Sequence, residues 1–358
     1  MALIRMRLPK GYLAALAAAL IAPLSALPAK ADPNLAANAR LAWSEHLRLR
    51  GLGSAMRENA DPRQVEQLRA TLLSQGYYTK TGEPQRVAEL FWLSPVLGWD
   101  GNINGGVLRD SFEFNGWTLT ASPEWQAKSG LVTGAKGGSL HRLAWSEGRF
   151  LELQSQIESA WSPKHEIARH DAYLQLCSKN HLSGWRFLDL CASGARSLRV
   201  LERQNSHQIS AKTSQLFATG SGLHEAGLTL ARVDSQGPRD QSRIGLSLES
   251  LWSQAATRIS ITLGEDIAQT NAMKERVDLG LKLASGSRDW EIDLWGQRAD
   301  GGFFAGQPRQ DKVWGIGLTT DLRPAISMRM GYAQSRSTAG FATYDQLSFD
   351  LNFKSLRW

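Results

Sequence analysis

"YDQLSFDLNFKSLRW", residues 344–358, is the stretch on which the fold turns. Leu347, Phe349, Leu351 and Phe353 alternate with Ser348, Asp350, Asn352 and Lys354. Successive side chains of a β-strand point to opposite faces, so this is a strand with one apolar and one polar side. A frayed terminal segment has no use for such regularity, nor for an aromatic residue, Trp358, just beyond it, so the strand is expected to be paired. Its phase slips after Lys354 and Ser355. Leu356 and Trp358 leave the row, and a bulge is expected between them and Phe353.

The same pattern recurs upstream. From Val87 onward, short alternating runs are punctuated by Gly, Ser, Asn and Asp, with a strand about every twenty residues and no long helical period. The clearest apolar rows are Ile244, Leu246, Leu248; Ile259, Ile261, Leu263; Val277, Leu279, Leu281, Leu283; Trp290, Ile292, Leu294; Trp314, Ile316, Leu318; and Ile326, Met328, Met330, Tyr332. Between them lie charged or small residues such as Lys274, Arg276, Asp278, Lys282, Glu291, Asp293, Ser327 and Arg329. A soluble sandwich also alternates, but it closes within about 100 residues, whereas this run continues for about 270 with no place to divide.

The connections discriminate further. Back from "TAGFAT", short links ("DLRPA", "SGSR", "WSQAA", "ATGSG") alternate with longer ones ("ADGGFFAGQPRQ", "DIAQTNAMKE", "DSQGPRD", "SGARSLRVLERQNSH"). Outer-membrane barrels have short periplasmic turns and longer outer loops. The expectation is therefore an all-β, antiparallel transmembrane barrel of about 14 strands, within 12 to 16, its first strand near 88–98 and its last closing on the first. A hairpin around "WTLTA" would raise the count to about 16.

Residues 1–31 read as a signal peptide: a basic start, an apolar "YLAALAAALIAPLSAL" and small residues ending at Ala31. No cysteine follows the cut to carry a lipid, and the mature chain is expected in the outer membrane of a Gram-negative bacterium. Arg5, Arg7, Lys10 and Lys30, with no acid before Asp32, account for four of the net +7 and leave +3 beyond the cut. The remaining bases are interleaved with acids, which makes nucleic acid a poor partner. Residues 32–86 form a distinct periplasmic helical region. Leu41, Leu47, Leu52 and Met56 mark one helix and Val65, Leu68, Leu72 and Leu73 a second, with Asn59–Pro62 between them and Asp61 and Pro62 as its cap and first position. The barrel occupies 87–358.

Cys177 and Cys191 share strand faces with Gln175 and Asp189 and flank Gly184 symmetrically, as lumen-facing cross-strand neighbours would. In an oxidising compartment they are expected to bridge, as a structural staple. His165, Glu166 and His170 lack the spacing of a metal site, and no serine sits in a nucleophile motif; "GSG" at 220–222 reads as a turn. No catalytic residue, metal or cofactor is expected. Trp290, Trp314 and Tyr332 suit interfacial girdles, and Phe303 and Phe304 either contact something outside or fold over the mouth.

"LFWLSPVLGWDGNINGG", residues 90–106, resembles the start of the barrel in the surface lipoprotein assembly modifier family, where a Pro-containing first strand runs into an aromatic-Asp-x-Asn-x-Asn stretch. Pro95, Trp99, Asp100, Asn102 and Asn104 are the matching positions. The resemblance implies a 14-stranded barrel behind a tetratricopeptide region and a role in delivering lipoproteins to the cell surface. This chain departs from that pattern, since about 55 residues before the barrel hold at most one or two helical repeats. The Asn and Gly residues also read independently as a sharp turn, and less readily as oxygen ligands for calcium. The leading expectation is a barrel that assists export or surface display of a lipoprotein or other surface protein. The alternatives are a passive or substrate-selective pore tuned by Lys282, Asp293 and Arg329, and a structural or adhesive barrel acting through its outer loops.

Overall fold

The computed structural model describes residues 33–54, 61–114, 116–234, 240–286, 288–323 and 325–358. The expected signal segment and its cut near Ala31 lie outside the described residues, as does Met56.

The first long strand, β1 (Gln85–Asp100), leads into a loop, 101–129, that carries a small separate hairpin of β2 (Ser111–Phe114) and β3 (Trp117–Thr120). There follow β4 (Gly130–Ser146), β5 (Arg149–Ser162), β6 (Ile167–Ser183), β7 (Arg186–Leu198), β8 (Arg203–Ala218), β9 (Leu223–Asp234) and β10 (Gln241–Leu251). The series continues with β11 (Ala255–Gly264), β12 (Ala272–Ser285), β13 (Arg288–Phe304), β14 (Gln307–Arg323), β15 (Ile326–Ser337) and β16 (Tyr344–Phe353). Each long strand pairs antiparallel with the next, and β16 returns to β1, so β1 and β4 to β16 close a barrel of 14 strands. The "WTLTA" hairpin stands outside the barrel sheet and adds no strand to it.

The quoted stretch is the closing strand. Phe349 and Leu351 stand opposite Trp99 and Leu97 of β1. After Phe353 the ladder breaks and resumes in a short β17 (Leu356–Arg357), with Leu356 opposite Leu93 and Arg357 opposite Trp92. Phe91 and Trp358 then exchange backbone bonds of 3.0 and 3.2 Å and stack their rings. The break lies across from Ser94 and Pro95, where proline has no N–H to give and the Ser94 hydroxyl donates to the Phe353 carbonyl at 2.9 Å.

Alternation sorts the barrel wall into two surfaces. Leu93, Leu131, Ile157, Leu174, Ile209, Leu279, Ile316 and Leu347 all point outward, Ile209 and Leu347 being 71% and 68% exposed. A contiguous apolar exterior of this extent is stable only against lipid, and a closed sheet is one of the two structures whose backbone bonds are all satisfied there. The inner surface carries Lys136, Glu152, Lys212, Glu249, Arg276, Lys282, Asp293 and Arg329 among others.

The ends differ less than the sequence suggests. At one end the links are tight throughout. At the other, β13 and β14 run through "ADGGFFAGQPRQ" as a ladder extended to Phe304 and Gln307, turning at Ala305 and Gly306, both at positive φ (48° and 80°). Only 199–202 separates β7 from β8. The expected long outer loops at 193–207 and 299–310 are therefore mostly strand, because backbone pairing continues past the membrane belt wherever a turn permits it. Among the described residues 265–271 stays a loop, and the longest exception is 101–129.

Candidate functional site

The lumen is occupied at its short-turn end. Residues 33–54 form α1 (Pro33–Ala37), a 3₁₀ turn at Ala39–Leu41 and α2 (Glu45–Ser54), and they lie against the inner face of the barrel. Leu35, Ala39, Leu41, Leu47 and Leu52 pack with Phe187, Leu216, Leu223, Leu251 and Ala256, inward residues of β7, β8, β9, β10 and β11, in one buried cluster. Helix α3 (Pro62–Ser74), with the Asp61 side chain accepting from the Arg63 N–H at 2.9 Å and Pro62 at its first position, lies outside this cluster except for Leu68.

Deeper in the lumen the contacts become polar. Helix α2 begins with N–H groups that have no partner within the helix. Ser44 caps it by accepting from the Leu47 N–H at 3.2 Å. The N–H groups of Trp43 and Ser44 both donate to Glu249 on β10, at 2.7 and 2.9 Å, and the Ser44 hydroxyl donates to Glu225 on β9. Two wall carboxylates thus face the positive end of the helix. Two cations lie over the Trp43 indole, Lys282 at 4.4 Å and Arg258 at 4.8 Å from a ring centroid, while its N–H donates to Glu291 at 2.9 Å. Gly280 makes room for it, since a Cβ there would stand 3.1 Å from the indole.

Around the rest of the circumference, Glu45 accepts two bonds from Arg142 of β4 at 2.7 and 2.8 Å. Arg142 also donates to Glu152 at 2.7 Å, and Lys179 approaches Glu152 at 3.3 Å. His46 stacks on Phe187 at 3.6 Å between centroids. Arg40 pairs with Asp289 of β13 at 2.8 Å. Burial pushes the Glu45 carboxyl up, but the charge and hydrogen bonds of Arg142 outweigh that, and it titrates below its ordinary value.

The opposite end is partly covered by the loop 101–129. Asp100 anchors it, accepting from Arg169 at 2.7 Å and Arg199 at 3.1 Å. Asn102 brackets Gly106, donating to its carbonyl and accepting from its N–H at 2.9 and 2.8 Å. Asn104, buried, donates to the Gln126 carbonyl and accepts from the Lys128 N–H, both at 2.8 Å. The side-chain oxygens of Asp100, Asn102 and Asn104 all accept from protein donors, so these residues fold the loop, and Trp99 points outward to the membrane face. The loop touches the β7–β8 turn, where the Leu201 N–H donates to Asn104 O at 2.8 Å. On the far side Phe112 meets Phe304 and Phe341, each at 6.1 Å. Phe304 is thus folded into the mouth, while Phe303 stays exposed.

Of the other sequence candidates, Cys177 and Cys191 are directly opposed in β6 and β7 and bridged. His165 bonds the Ser129 carbonyl and His170 the Ser159 hydroxyl, so the "HEIARH" histidines do not converge. Lys282, Asp293 and Arg329 face the lumen, with Lys282 beside Glu291 at 3.7 Å and Asp293 beside Arg258 at 3.5 Å. The residues that sequence reasoning missed are Trp43, Ser44, Arg142, Glu225 and Glu249. The available signal was a set of large apolar residues, Phe187, Leu216, Leu223 and Leu251, on the polar side of their strands, which asks for something apolar inside.

A closed sheet with an apolar exterior and a charged interior has one natural setting. The chain is an outer-membrane type of β-barrel. No family model and no curated protein matches it. Among solved structures it is similar to Pseudomonas aeruginosa OpdK with vanillate (10% identity, TM-score 0.39, covering 78% of this chain and 100% of that one). It is similar also to the outer membrane protein OprD from Pseudomonas aeruginosa (7%, 0.39, 80% and 96%) and to Acinetobacter baumannii OccAB4 (7%, 0.38, 78% and 99%). At these values the likeness concerns the barrel fold alone. The expected membership of the surface lipoprotein assembly modifier family is overturned, since no family model matches the chain. The stretch from Pro95 to Asn104 that suggested it is accounted for by strand closure and loop anchoring.

Proposed function

We propose that the protein is a substrate-selective pore of the Gram-negative outer membrane, stoppered from the periplasmic side by its own residues 33–54. The observation that carries this is the way that segment is held: an apolar cluster seats it at the short-turn end, and its inner side is clasped by the polar wall groups Glu225, Glu249, Glu291 and Arg142. Each clasp is a hydrogen bond to a charged group, worth about 1.5–3 kcal/mol net, and water can replace it, so departure of the segment leaves these wall groups solvated. A fully apolar interior would instead collapse or stay dry.

Export or surface display of another protein loses its support with the family resemblance. An adhesive role is disfavoured because, among the described residues, 101–129 is the one outer connection longer than seven residues. The test is ion conductance of the purified full chain in planar bilayers, beside Trp43→Ala. Brief openings of the full chain and sustained ones of the variant are expected. A folded variant that never conducts would remove the pore reading.

A further inference from the structure

The inner wall holds a second feature that the stopper does not use. A cavity of about 480 Å³ opens between β5, β6, β7 and β8, next to the 199–202 turn on which the loop 101–129 rests. Its shape follows from register. One inward row runs Gln156, Tyr173, Ala195, Ser206, and the row beside it runs Glu158, Asp171, Ser197, Gln204. Ala195 and Ser197 are short between longer neighbours, which leaves a hollow with the Tyr173 side chain beside it.

The lining chemistry is selective. Gln156 and Gln204 offer amides, Ser197 and Ser206 hydroxyls, Tyr173 a ring, and Asp171 a carboxylate that forms no hydrogen bond or ion pair among the described residues. Glu158 is taken by Arg169 at 2.8 Å, and Glu202 accepts from Gln204 at 2.6 Å. The one basic residue of the lining, Arg196, belongs to the outward-facing row by alternation. The lumen-side Arg169 and Arg199 are outside the lining and already engaged by Asp100 and Glu158, so an anion finds a carboxylate and no lumen-facing cation in the lining. A sugar finds what its hydroxyls need, since each both donates and accepts, amides and hydroxyls do the same, a carboxylate accepts from two hydroxyls, and an aromatic face covers the ring C–H groups.

We infer that this cavity is a subsite for neutral polyhydroxylated solutes of the sugar class. It rests on the pore reading and names what such a pore would select. It also places the selective contact on the outer side of the stopper, where a solute arriving from outside meets it first.

The experiment is saturation-transfer NMR on the full chain in detergent micelles with sucrose, choline and benzoate as separate probes, with folding of every variant checked by far-UV circular dichroism. Expected is a saturable sucrose signal that falls at least fivefold in Tyr173→Ala and in Asp171→Asn. Ala195→Trp, which fills the hollow without removing a hydrogen-bonding group, should abolish it, and choline and benzoate should give none. The inference is overturned if sucrose gives no protein-dependent signal, if folded variants leave it unchanged, or if choline competes for it, which would make Asp171 a cation site. Bilayer conductance separates the two readings: sucrose binding without any current keeps the subsite and removes the pore, while current without sucrose binding does the reverse.

Discussion

Glu249 does the work of a helix cap from another part of the chain. It receives two backbone N–H groups of residues 43 and 44, and Ser44 caps the helix one step further on. Replacing Glu249 by Ala orphans those donors near the lumen wall. A hydrogen bond to a charged group is worth about 1.5–3 kcal/mol, so the docked state should lose about 2 kcal/mol, or roughly thirtyfold in its equilibrium constant. Open probability in bilayers measures it, and an unchanged open probability would mean that the segment is held elsewhere. Arg142 carries a different kind of risk, being buried between Glu45 and the buried Glu152. Arg142→Ala leaves Glu152 with Lys179 alone, and a loss of about 3 kcal/mol is expected, read as a lower melting temperature of the purified protein. The same arginine sets a pH dependence through Glu45, whose carboxyl is held below its ordinary value of 4.5. A carboxyl depressed in the folded state stabilises that state fully above its ordinary value and ceases to do so as pH falls through the folded one. Lys179 and His46 also face Glu45 and lower it further by their charge. Opening should therefore increase on acidification below about pH 4.5, and less so in Glu45→Gln; acid-induced closure would contradict it. None of these partnerships was legible in the sequence. Alternation says which face Glu225 or Glu249 occupies, but not that Ser44, some 200 residues earlier, meets them there. The cysteines were legible because both lie in one hairpin, where symmetry about Gly184 fixes the pairing.

Helix α2 illustrates why elements are harder to read inside a barrel than outside one. A surface helix shows one apolar stripe. In α2, Leu47, Leu49, Gly51 and Leu52 are all buried, on more than one side, because the lumen surrounds the helix. Leu41, Leu47 and Leu52 marked that helix in the sequence, yet nothing in their spacing said that the surrounding surface would be a barrel wall. Gly51 is where the fit is closest: a Cβ there would lie 2.9 Å from the Leu251 Cδ2 and 3.1 Å from the Ala39 Cβ. Gly51→Leu wedges the helix off β10 while leaving every barrel residue in place. Sustained conductance with an unaltered melting temperature is the expected result. A fall in melting temperature without conductance would show that the segment is a structural part of the barrel instead. The strands were read more easily, since each row of Leu, Ile and Phe faces lipid over its whole length. The outer connections were misread because glycine-rich polar sequence suits both an open loop and an extended ladder with a tight turn, and pairing energy decides between them.

At the scale of the whole molecule, the pore reading puts two barriers in series along one lumen. Residues 33–54 fill the periplasmic end, and the loop 101–129 reaches from the β7–β8 turn to the aromatic contact of Phe112 with Phe304 and Phe341 across the other. They share no contact among the described interactions, so on that reading each opens with its own equilibrium, and current needs both open. Two independent gates multiply: opening one raises conductance to the limit set by the other. Removing the β2–β3 hairpin, residues 111–120, deletes the aromatic contact while keeping the anchors at Asp100, Asn102 and Asn104. The hairpin deletion alone should change the current little, because the stopper still limits it, and Gly51→Leu alone should give a partial current capped by the outer loop. The combination should exceed the sum of the two increments severalfold. Simple addition would mean two parallel leaks rather than one channel, and full current from Gly51→Leu alone would mean that the outer loop leaves the mouth open. Single-channel recording of the four proteins distinguishes these cases, because a series arrangement changes the level of each opening as well as its frequency.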